Sequence, residues 1–340
     1  MAGGISMKEL AADLGVSTAS ISVALRGKPG ISEETRIRIL KEARRRGYDM
    51  SRLSGQQPKE VIQIIDYTYY INNDDPRQAF SYYGQFVDAA AAAITKRGYT
   101  PAGPLPGALG EKGSPGPAAG VILLGAKLMP QQVQPYIKEN IPCVISGAIL
   151  DDLPVTTIAH DNGFGIRSAI DHLYELGHRR IGYILSITGP IGQSRYDAFL
   201  AGIKDLELNA GEVMDMRSPD HFVDADGIFE AVCAAFKDSR PQATAFVCDN
   251  DYASAALMKG LRSLGLTPGK DISVTGFDDQ PFSSLLEPAL TSVCTFEQEL
   301  ADLCVEQLIY TIEHPGAPFR HIRLGTALKV RESTAAPAKT

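Results

Sequence analysis

Three polar side chains follow apolar, strand-like runs in the second half of this 340-residue chain. Asn250 closes the run "ATAFVCDN", Asp278 closes "ISVTGFD", and Arg195 opens the predicted helix "SRYDAFLAGI" after "RIGYILS". Ligands bind open α/β sheets at the carboxyl ends of the strands, where several loops meet. A guanidinium, an amide and a carboxylate there suit a ligand with several hydroxyls or a carboxylate. These residues predict a small-molecule site.

Each of these side chains also has a structural alternative. Asn250 or Asp251 could cap the helix that follows, Asp278 and Asp279 could organise a loop, and Arg195 could be an ordinary surface cation. Because all three groups stand at converging strand ends, we favour the ligand site.

The chain lacks the common catalytic motifs. It has no Gly-x-x-x-x-Gly-Lys-Ser/Thr loop, no Gly-x-Gly-x-x-Gly after a strand and no Gly-x-Ser-x-Gly elbow. His160 and Asp161 could form part of a base, but no activated nucleophile stands beside them. His172 and His178 are six residues apart, which is a poor same-face spacing for a metal, and are expected on a helix surface and at its C-terminal cap. We predict no enzyme activity, cofactor or metal.

Strand-like runs alternate with helical patterns in the body of the chain. Helical stripes cover Gly165–Leu176 and Tyr252–Leu264, each beside a strand-like run. This alternation predicts a two-lobed α/β body with parallel, doubly wound sheets. The clearest strands are "VIQII", "GVILLG", "PCVIS", "RIGYILS", "ATAFVC" and "ISVTGF".

The first fifty residues predict a small all-α helix-turn-helix head. Gly15 suits a tight turn with positive φ, and Ser17 can cap the helix that follows. A third helix is predicted from Ser32, which can cap it, to Gly47. The apolar positions that two short helices would bury together are Leu10, Ala11, Leu14, Val16, Ile21 and Ala24.

Charge is distributed unevenly between the two parts. Residues 1–60 hold 11 Lys and Arg against 7 Asp and Glu, a net +4, and the remaining 22 and 33 give −11, which together make the overall −7. A basic head on an acidic body is expected when only the head meets DNA phosphates.

Cysteine and hydropathy patterns point to the cytoplasm. No apolar run approaches the roughly 18–20 residues of a membrane helix, and no signal peptide precedes the head. The cysteines are odd in number and form no Cys-x-x-Cys pair, so we expect buried free thiols. They are Cys143, Cys233, Cys248, Cys294 and Cys304.

The segment "MKELAADLGVSTASISVALRGKPGISEETRIRILKEARRRGY" resembles the DNA-binding head of the LacI/GalR family of bacterial repressors. The later runs "SRYDAFLAGI", "FVCDND" and "SVTGFDD" extend the likeness to about Glu332. The resemblance implies a homodimer, or a higher oligomer, on a near-palindromic operator. It also implies a periplasmic-binding-protein-like body whose sugar or metabolite ligand alters DNA affinity, with Arg195, Asn250 and Asp278 among the ligand contacts.

The same resemblance implies which residues of the head meet DNA. Thr18, Ala19 and Val23 take the base-reading positions, with Ser20 and Ser22 beside them. None is a long polar side chain, so we expect weak direct readout through thymine methyls. Phosphate contacts that set the register are expected from Ser6, Ser17 and Arg26.

The linker "DMSRLSGQQPK" departs from the family pattern. Gly55 and Pro58 disfavour a hinge helix, and Gln57 stands where the family places an intercalating Leu. Arg52 and Leu53 could contact DNA after a register shift, with Leu53 as the wedge. A flexible tether is the equal alternative.

In the body, the resemblance assigns stacking faces for the ligand to Tyr82, Tyr83 and Phe222. Gly147 stands where sugar-binding relatives usually carry Asp, which weakens a simple-sugar assignment. The Pro- and Gly-rich stretch Thr100–Gly120 is expected to form a loop where the family builds a strand and a helix, so that the first lobe is abbreviated.

The predicted domains follow the same division. Residues 1–48 form the head, 49–60 the linker, 61–335 the body and 336–340 a tail. Lobe 1 is expected to hold about 61–158 and 292–320, and lobe 2 about 159–291 and 321–333.

Together, these features predict a ligand-responsive, sequence-specific DNA-binding transcriptional regulator. The expected partners are operator duplex DNA, a small effector such as a sugar or sugar derivative, and a second copy of the chain, without a membrane. We expect it in the bacterial cytoplasm, associated with the nucleoid. The alternative is a solute-binding protein or sensor of the same two-lobed fold without regulatory DNA binding.

Overall fold

The computed structural model describes residues 7–25, 30–46, 60–67, 76–106, 118–125, 128–217 and 225–338. The chain divides into two compact units. One is Met1–Glu60 with Gly98–Thr100, and the other is Val61–Arg97 with Pro101–Thr340. Each unit is described by itself.

The first unit contains the predicted helix-turn-helix. Its helices are α1 (Met7–Leu14), α2 (Thr18–Leu25) and α3 (Glu33–Arg45). Leu14 and Val16 are half-buried at the margin of the core. The fully buried residues of the core are Leu10, Ala11, Ile21, Ala24, Leu25, Ile39 and Ala43.

The predicted turn and caps of this unit are confirmed. Gly15 has a φ of +65°, a conformation that other residues adopt at a cost. The Ser17 Oγ accepts from the Ser20 amide at 3.0 Å, and the Ser32 Oγ accepts from the Thr35 amide at 3.2 Å. Each hydroxyl satisfies a backbone donor that the first turn of the next helix leaves free.

The second unit is built on two six-stranded sheets, each of which defines a lobe. In lobe 1 the strand order is β11-β5-β4-β3-β1-β2, and in lobe 2 it is β12-β10-β9-β8-β6-β7. The strands are β1 (Val61–Asp66), β2 (Thr100–Pro106), β3 (Gly120–Leu124), β4 (Cys143–Ser146), β5 (Thr156–His160), β6 (Arg180–Leu185), β7 (Asn209–Asp215), β8 (Ala245–Cys248), β9 (Ser273–Asp278), β10 (Thr291–Cys294), β11 (His321–Leu324) and β12 (Ala327–Lys329).

Helices cover these sheets and fill the cores. In lobe 2, one face of the sheet packs against α6 and α7 and the other against α8 and α9. In lobe 1, α5 packs with β1, β3 and β4 on one face, while Gly120 lies close to α10. The helices are α4 (Pro76–Lys96), α5 (Pro130–Lys138), α6 (Asn162–Glu175), α7 (Gly189–Asp205), α8 (Ala225–Phe236), α9 (Asp251–Ser263) and α10 (Glu297–Glu313).

This architecture confirms the predicted fold class. The pairings β1–β3–β4–β5–β11 and β7–β6–β8–β9–β10 are parallel, as the alternation of strands and helices predicts. Strand β12 pairs antiparallel with β10, which the sequence does not predict.

The chain passes between the lobes at three crossings. The first follows β5 at His160, the second joins β10 to α10 through Thr295 and Phe296, and the third joins β11 to β12 through Gly325 and Thr326. The predicted lobe limits place the last two crossings a few residues earlier, near 291 and 320. The short strands β10 and β11 are too brief to show a clear alternation, so their sheet could not be assigned from the sequence.

The expectation of a loop over Thr100–Gly120 is wrong for its first part. Residues Thr100–Pro106 form the edge strand β2, and residues 107–117 lie outside the described part of the chain. An edge strand tolerates proline because one side of its backbone needs no partner within the sheet.

His178 and His172 anchor the C-terminal segment on lobe 2. His178 is fully buried, with Nδ1 2.8 Å from the Thr244 Oγ1 and Nε2 2.8 Å from the Ala335 carbonyl. His172 Nε2 lies 2.9 Å from the Thr334 Oγ1. His178 lies at the predicted C-terminal cap of α6, where its amide donates to the Leu173 carbonyl, and its side chain is covered by the tail.

The cysteines are free thiols, as predicted. Four are buried, and Cys233 on α8 is partly exposed beside the Ser263 hydroxyl at 3.2 Å. Burial raises the pKa of the Cys143 and Cys304 thiols to about 12. Across the residues that are described, no helix has both the length and the apolar character needed to cross a membrane.

Candidate ligand-binding and DNA-binding sites

Asp249 organises the carboxyl end of β8 in lobe 2. Its carboxylate is fully buried and accepts from the Ser186 amide at 2.6 Å, the Ser186 hydroxyl at 2.6 Å and the Ile187 amide at 2.7 Å. Burial raises the pKa of Asp249, and these donors act against that rise. The carboxylate therefore fixes the loop that leads from β6 into α7.

Arg195 joins four parts of lobe 2 from the middle of α7. Its Nε donates to the Asn162 Oδ1 at 2.8 Å, its Nη2 to the Asp278 Oδ1 at 3.2 Å, and its Nη1 to the Asp249 carbonyl. The guanidinium lies 3.7 Å from the centre of the Phe277 ring. Only 1% of the residue is exposed, so Arg195 is not the surface cation of the alternative interpretation.

The predicted start of this helix is also wrong. Helix α7 begins at Gly189, after the cap position Thr188 and with Pro190 in its first turn, so Arg195 lies well inside it. Proline in a first turn costs no hydrogen bond, which allows the helix to begin before the apolar stripe does.

Asn250 both caps α9 and joins the polar network. Its Oδ1 accepts from the Ala253 amide at 2.8 Å, which is the capping role of the structural alternative. Its Nδ2 donates to the Ser186 hydroxyl at 2.6 Å and to the Asp249 carboxylate at 3.0 Å. The residue is 9% exposed, so a small part of it remains accessible to solvent.

Asp278 and Asp279 end β9 with positive φ angles of 102° and 48°. Asp278 is 4% exposed and accepts from Arg195. Asp279 accepts from Lys329 and Arg331, each at 2.6 Å, and ties β9 to the end of β12. Asp279 therefore has the loop-organising role of the alternative interpretation, whereas Asp278 faces the Arg195 network.

Asp251, which the sequence offered only as a cap, holds the loop after β9. Its carboxylate accepts from the Gln280 amide at 2.7 Å and from the Ser283 and Ser292 hydroxyls, each at 2.6 Å. Burial and the nearby charge of Asp278 raise the pKa of Asp251 to about 7. This anchor supports the backbone that carries Asp278.

The first two crossings bring His160 and Glu297 together. His160 Nε2 lies 3.4 Å from the Glu297 Oε1, and both side chains are about 10% exposed, at 9% and 10%. The Thr295 hydroxyl is 3.1 Å from the Glu297 Oε1 and 3.4 Å from the Asp278 carbonyl. Lobe 1 therefore contributes a carboxyl group and an imidazole beside the Arg195–Asp278 network of lobe 2.

The electrostatic state of this pair follows from its burial. Burial and the charge of Arg195 lower the pKa of His160 to about 3, so its imidazole is neutral near pH 7. Burial and the charge of Asp278 raise the pKa of Glu297 to about 7. The contact between them is consequently not an ion pair at neutral pH. Asp161, beside His160, caps α6 by accepting from the Phe164 amide at 2.9 Å.

Several predicted ligand contacts are not placed by the structure. Tyr82 and Tyr83 belong to α4, but their side chains lie outside the described part, and Phe222 lies outside it altogether. Gly147 has a φ of +96°, a backbone conformation that disfavours a residue with a side chain at this position.

Sequence reasoning missed Asp249 and Glu297. Asp249 was visible as the first polar residue after the apolar run "ATAFVC", which is the position that strand-end anchors occupy. Glu297 is the first residue of α10, directly after the crossing from β10, and the sequence placed that crossing near 291 without identifying Glu297 as part of the site. Within the described ranges, no group of three or more His, Cys, Asp or Glu side chains is arranged to hold a metal ion.

In the head, α2 presents the predicted base-reading residues along one side. Thr18 and Ala19 are exposed, while Ser20, Ser22 and Val23 are half-buried. Thr18 and Ser22, like Ala19 and Val23, are four apart and therefore neighbours on the helix surface. The predicted contacts Ser6, Arg26, Arg52 and Leu53 lie outside the described residues. Ser17 is exposed at the start of α2 and also caps it.

Known proteins are similar to this chain in sequence and in fold. A family model described as a periplasmic binding protein-like domain matches residues 170–334. The HTH-type transcriptional regulator MalR of Streptomyces coelicolor is 26% identical, over 97% of this chain and 96% of MalR.

Two solved structures cover nearly the whole chain. A Lac repressor dimer bound to operator and the anti-inducer ONPF has a TM-score of 0.68 at 20% identity, over 98% of this chain and 100% of that one. A complex of the transcriptional regulator CelR with cellobiose has a TM-score of 0.64 at 21% identity, over 97% and 99%.

A helix-turn-helix unit and a two-lobed binding-protein body in one chain define the class of ligand-responsive, sequence-specific DNA-binding transcriptional regulators. Within that class, the chain is similar in sequence to the HTH-type regulator MalR and in fold to the Lac repressor, as the LacI/GalR resemblance of its motifs predicts.

Proposed function

We propose that the protein is a homodimeric repressor whose operator affinity changes when a sugar or sugar derivative binds between the two lobes of the body. The observation that carries this proposal is the buried network of Arg195, Asp249, Asn250 and Asp278 at the carboxyl ends of the lobe 2 strands, beside the crossings. The dimeric state of the Lac repressor and the cellobiose bound to CelR support it.

The effector site is proposed to include Asn250 and Asp278 as polar contacts, with Arg195 as the positioning residue that holds them. Asn250 and Asp278 retain a small exposed fraction, whereas the guanidinium is held by protein groups. The aromatic residues Tyr82, Tyr83 and Phe222 are proposed to supply stacking faces for the ligand.

For the head, the proposed base-reading residues are Thr18, Ala19 and Val23, with Ser20 and Ser22 beside them. Phosphate contacts are proposed for Ser6, Ser17 and Arg26, and hinge contacts for Arg52 and Leu53. The proposed division of the chain is the head (1–48), the linker (49–60), the body (61–335) and the tail (336–340).

The proposed mechanism is thermodynamic linkage. A ligand that prefers one arrangement of the lobes changes how well the two heads of the dimer match half-sites about 34–36 Å apart, or a multiple of that distance. Reciprocity requires DNA to change ligand affinity by the same factor, typically about 5–150-fold. On this account the protein acts without catalysing a reaction, and it works in the cytoplasm at the chromosome.

Selection of random duplex DNA by the full-length protein tests the proposal. Purified protein at low salt is incubated with a random pool, and the retained DNA is sequenced. An enriched inverted repeat is the expected result. If the selected pool shows no repeat, either alone or with added metabolite extract, the protein does not act as a sequence-specific dimer.

A gain of base preference tests the role of α2. Replacing the exposed Ala19 with Arg should add a preference for guanine in the half-site, because Arg makes bidentate contacts that discriminate by about 1–3 kcal/mol. Ala12→Arg, an exposed alanine on α1, is the matched control and should raise affinity without changing the selected sequence. The same selected repeat for both variants would contradict the assignment of α2.

A further inference from the structure

The one guanidinium of the buried cluster is held by the protein itself. Arg195 donates to Asn162, to Asp278 and to the Asp249 carbonyl, and its flat face covers Phe277. Because only 1% of Arg195 is exposed, a ligand carboxylate has little access to this cation. The arginine that the sequence offered for an acidic ligand therefore serves the fold instead.

The remaining charges of the cluster are carboxyl groups. Asp249, Asp251, Asp278 and Glu297 share it with Arg195, and burial, followed by the charge of Asp278, raises the pKa of both Asp251 and Glu297. A ligand that brought another negative charge would meet the same repulsion. Lys329 and Arg331, on the nearby strand end, do not relieve it because both pair with Asp279.

Lobe 1 adds polar atoms that have unused hydrogen-bonding capacity. Among the described residues, the buried His160 Nε2 has no hydrogen-bond partner, because the Glu297 Oε1 at 3.4 Å is poorly aligned with it. Glu297 is about nine-tenths buried and accepts from the Thr295 hydroxyl at 3.1 Å. An ionised carboxylate only accepts hydrogen bonds, so Glu297 suits a ligand that donates. The neutral His160 ring can accept or donate at Nε2, according to its tautomer, and can therefore pair with a ligand hydroxyl in either direction.

We infer that the effector carries hydroxyl or amine donors and no acidic group, and that Glu297, with His160 beside it, is the residue that selects for this chemistry. The inference rests on the proposed effector site between the lobes. It assigns to lobe 1 a carboxylate that accepts from the ligand, opposite the Arg195–Asp278 network of lobe 2. Selection works by attraction of donors and by repulsion of acids.

A panel of matched sugars tests the ligand class on the unmodified protein. Mono- and disaccharides are compared in neutral, amine-bearing and uronic acid forms of the same ring configuration, first by thermal shift and then by calorimetric titration. We expect the best binder to be neutral or aminated, and its uronic acid form to bind at least about tenfold more weakly. Equal or tighter binding of the uronic acid form would overturn the inference and leave the proposed function intact.

Glu297→Gln tests the residue. At pH 8, above the pKa of about 7 where the Glu297 carboxyl is ionised, the variant should bind the best sugar at least about tenfold more weakly and should discriminate less against the uronic acid form, since Gln lacks the negative charge but keeps the shape. Glu299→Gln, an exposed carboxylate on the same turn of α10, is the matched control and should bind as the unmodified protein does. Unchanged affinity and discrimination in Glu297→Gln would refute the assignment.

Two further outcomes separate this inference from the proposed function. If no sugar of any form binds but metabolite extract alters operator binding, the sugar class and this inference fail while ligand-responsive repression stands. If Glu297→Gln does not fold, the ratio of neutral to acidic affinities in the unmodified protein still decides the ligand class. An acid-preferring ratio then overturns the inference, and a ratio that favours the neutral form supports it.

Discussion

The carboxyl edges of the two body sheets differ in how their polar groups are satisfied. In lobe 2, Asp249, Asp251 and Arg195 each make at least three hydrogen bonds with neighbouring backbone or side-chain groups. On the lobe 1 side and at the third crossing, the described His160 Nε2 and Thr326 Oγ1 are buried without a hydrogen-bond partner. The charged anchors at the lobe 2 edge are thus satisfied by protein groups, whereas the described His160 at the lobe 1 edge keeps a ring nitrogen that a ligand could engage.

The largest effect is expected from removing the centre of the lobe 2 network. Arg195→Ala leaves Asp278 buried without its cation, which should lower the free energy of unfolding by about 3–5 kcal/mol. Chemical denaturation monitored by circular dichroism measures this change. Arg217→Ala breaks the partly exposed pair with Asp215 and should cost under about 1 kcal/mol. Similar losses for the two variants would mean that the network does not hold lobe 2 together.

The next effect is a pH dependence of stability that Glu297, on the lobe 1 side, is expected to cause. The pKa of Glu297 rises from near 4.5 to about 7 on folding, so the folded state keeps a proton that the unfolded chain releases. The unmodified protein should therefore lose stability relative to Glu297→Gln as pH rises from about 4.5 to 7. The difference should level off above pH 7 at no more than about 3 kcal/mol.

Denaturation curves for the unmodified protein and Glu297→Gln across this pH range provide the measurement. Glu299→Gln again serves as the control and should show no such growth of the difference. If the difference in stability between the unmodified protein and Glu297→Gln stays constant with pH, the pKa of Glu297 is not raised by folding. The electrostatic description of the lobe 1 edge would then be wrong.

Two smaller effects compare a hydroxyl that donates to a buried carboxylate with a buried hydroxyl that has no hydrogen-bond partner among the described residues. Ser292→Ala removes a donor to the Asp251 carboxylate at 2.6 Å and should cost about 1.5–3 kcal/mol. Thr326→Val removes a buried hydroxyl that has no partner and should be neutral or stabilising by up to about 1 kcal/mol. Thermal unfolding without added ligand measures both. Equal losses of stability in the two variants would contradict the proposed difference between the two edges.

Sequence patterns predicted the parts of this molecule that depend on local periodicity and capping. The turn at Gly15, the caps at Ser17 and Ser32, and the six long apolar strands follow from rules that act over a few residues. The start of α7 was misplaced because Gly189 and Pro190 precede its apolar stripe.

The site was only partly predictable because its geometry depends on long-range pairing. Arg195, Asn250 and Asp278 were identified, but the contacts of Arg195 with Asn162, Asp249 and Asp278 join residues that are 33 to 83 positions apart. Glu297 reaches the site because the chain crosses between the lobes after β10, and the predicted lobe limits placed this crossing a few residues too early.

The central claim is that ligand binding and operator binding are thermodynamically linked, so that each changes the affinity of the protein for the other. The most direct test is calorimetric titration of the best-binding sugar into the protein, without and with a saturating duplex that carries the selected repeat. The account predicts that the duplex changes the sugar's Kd by about 5–150-fold, and that the sugar changes the operator Kd by the same factor. Identical sugar affinities with and without the operator would contradict it.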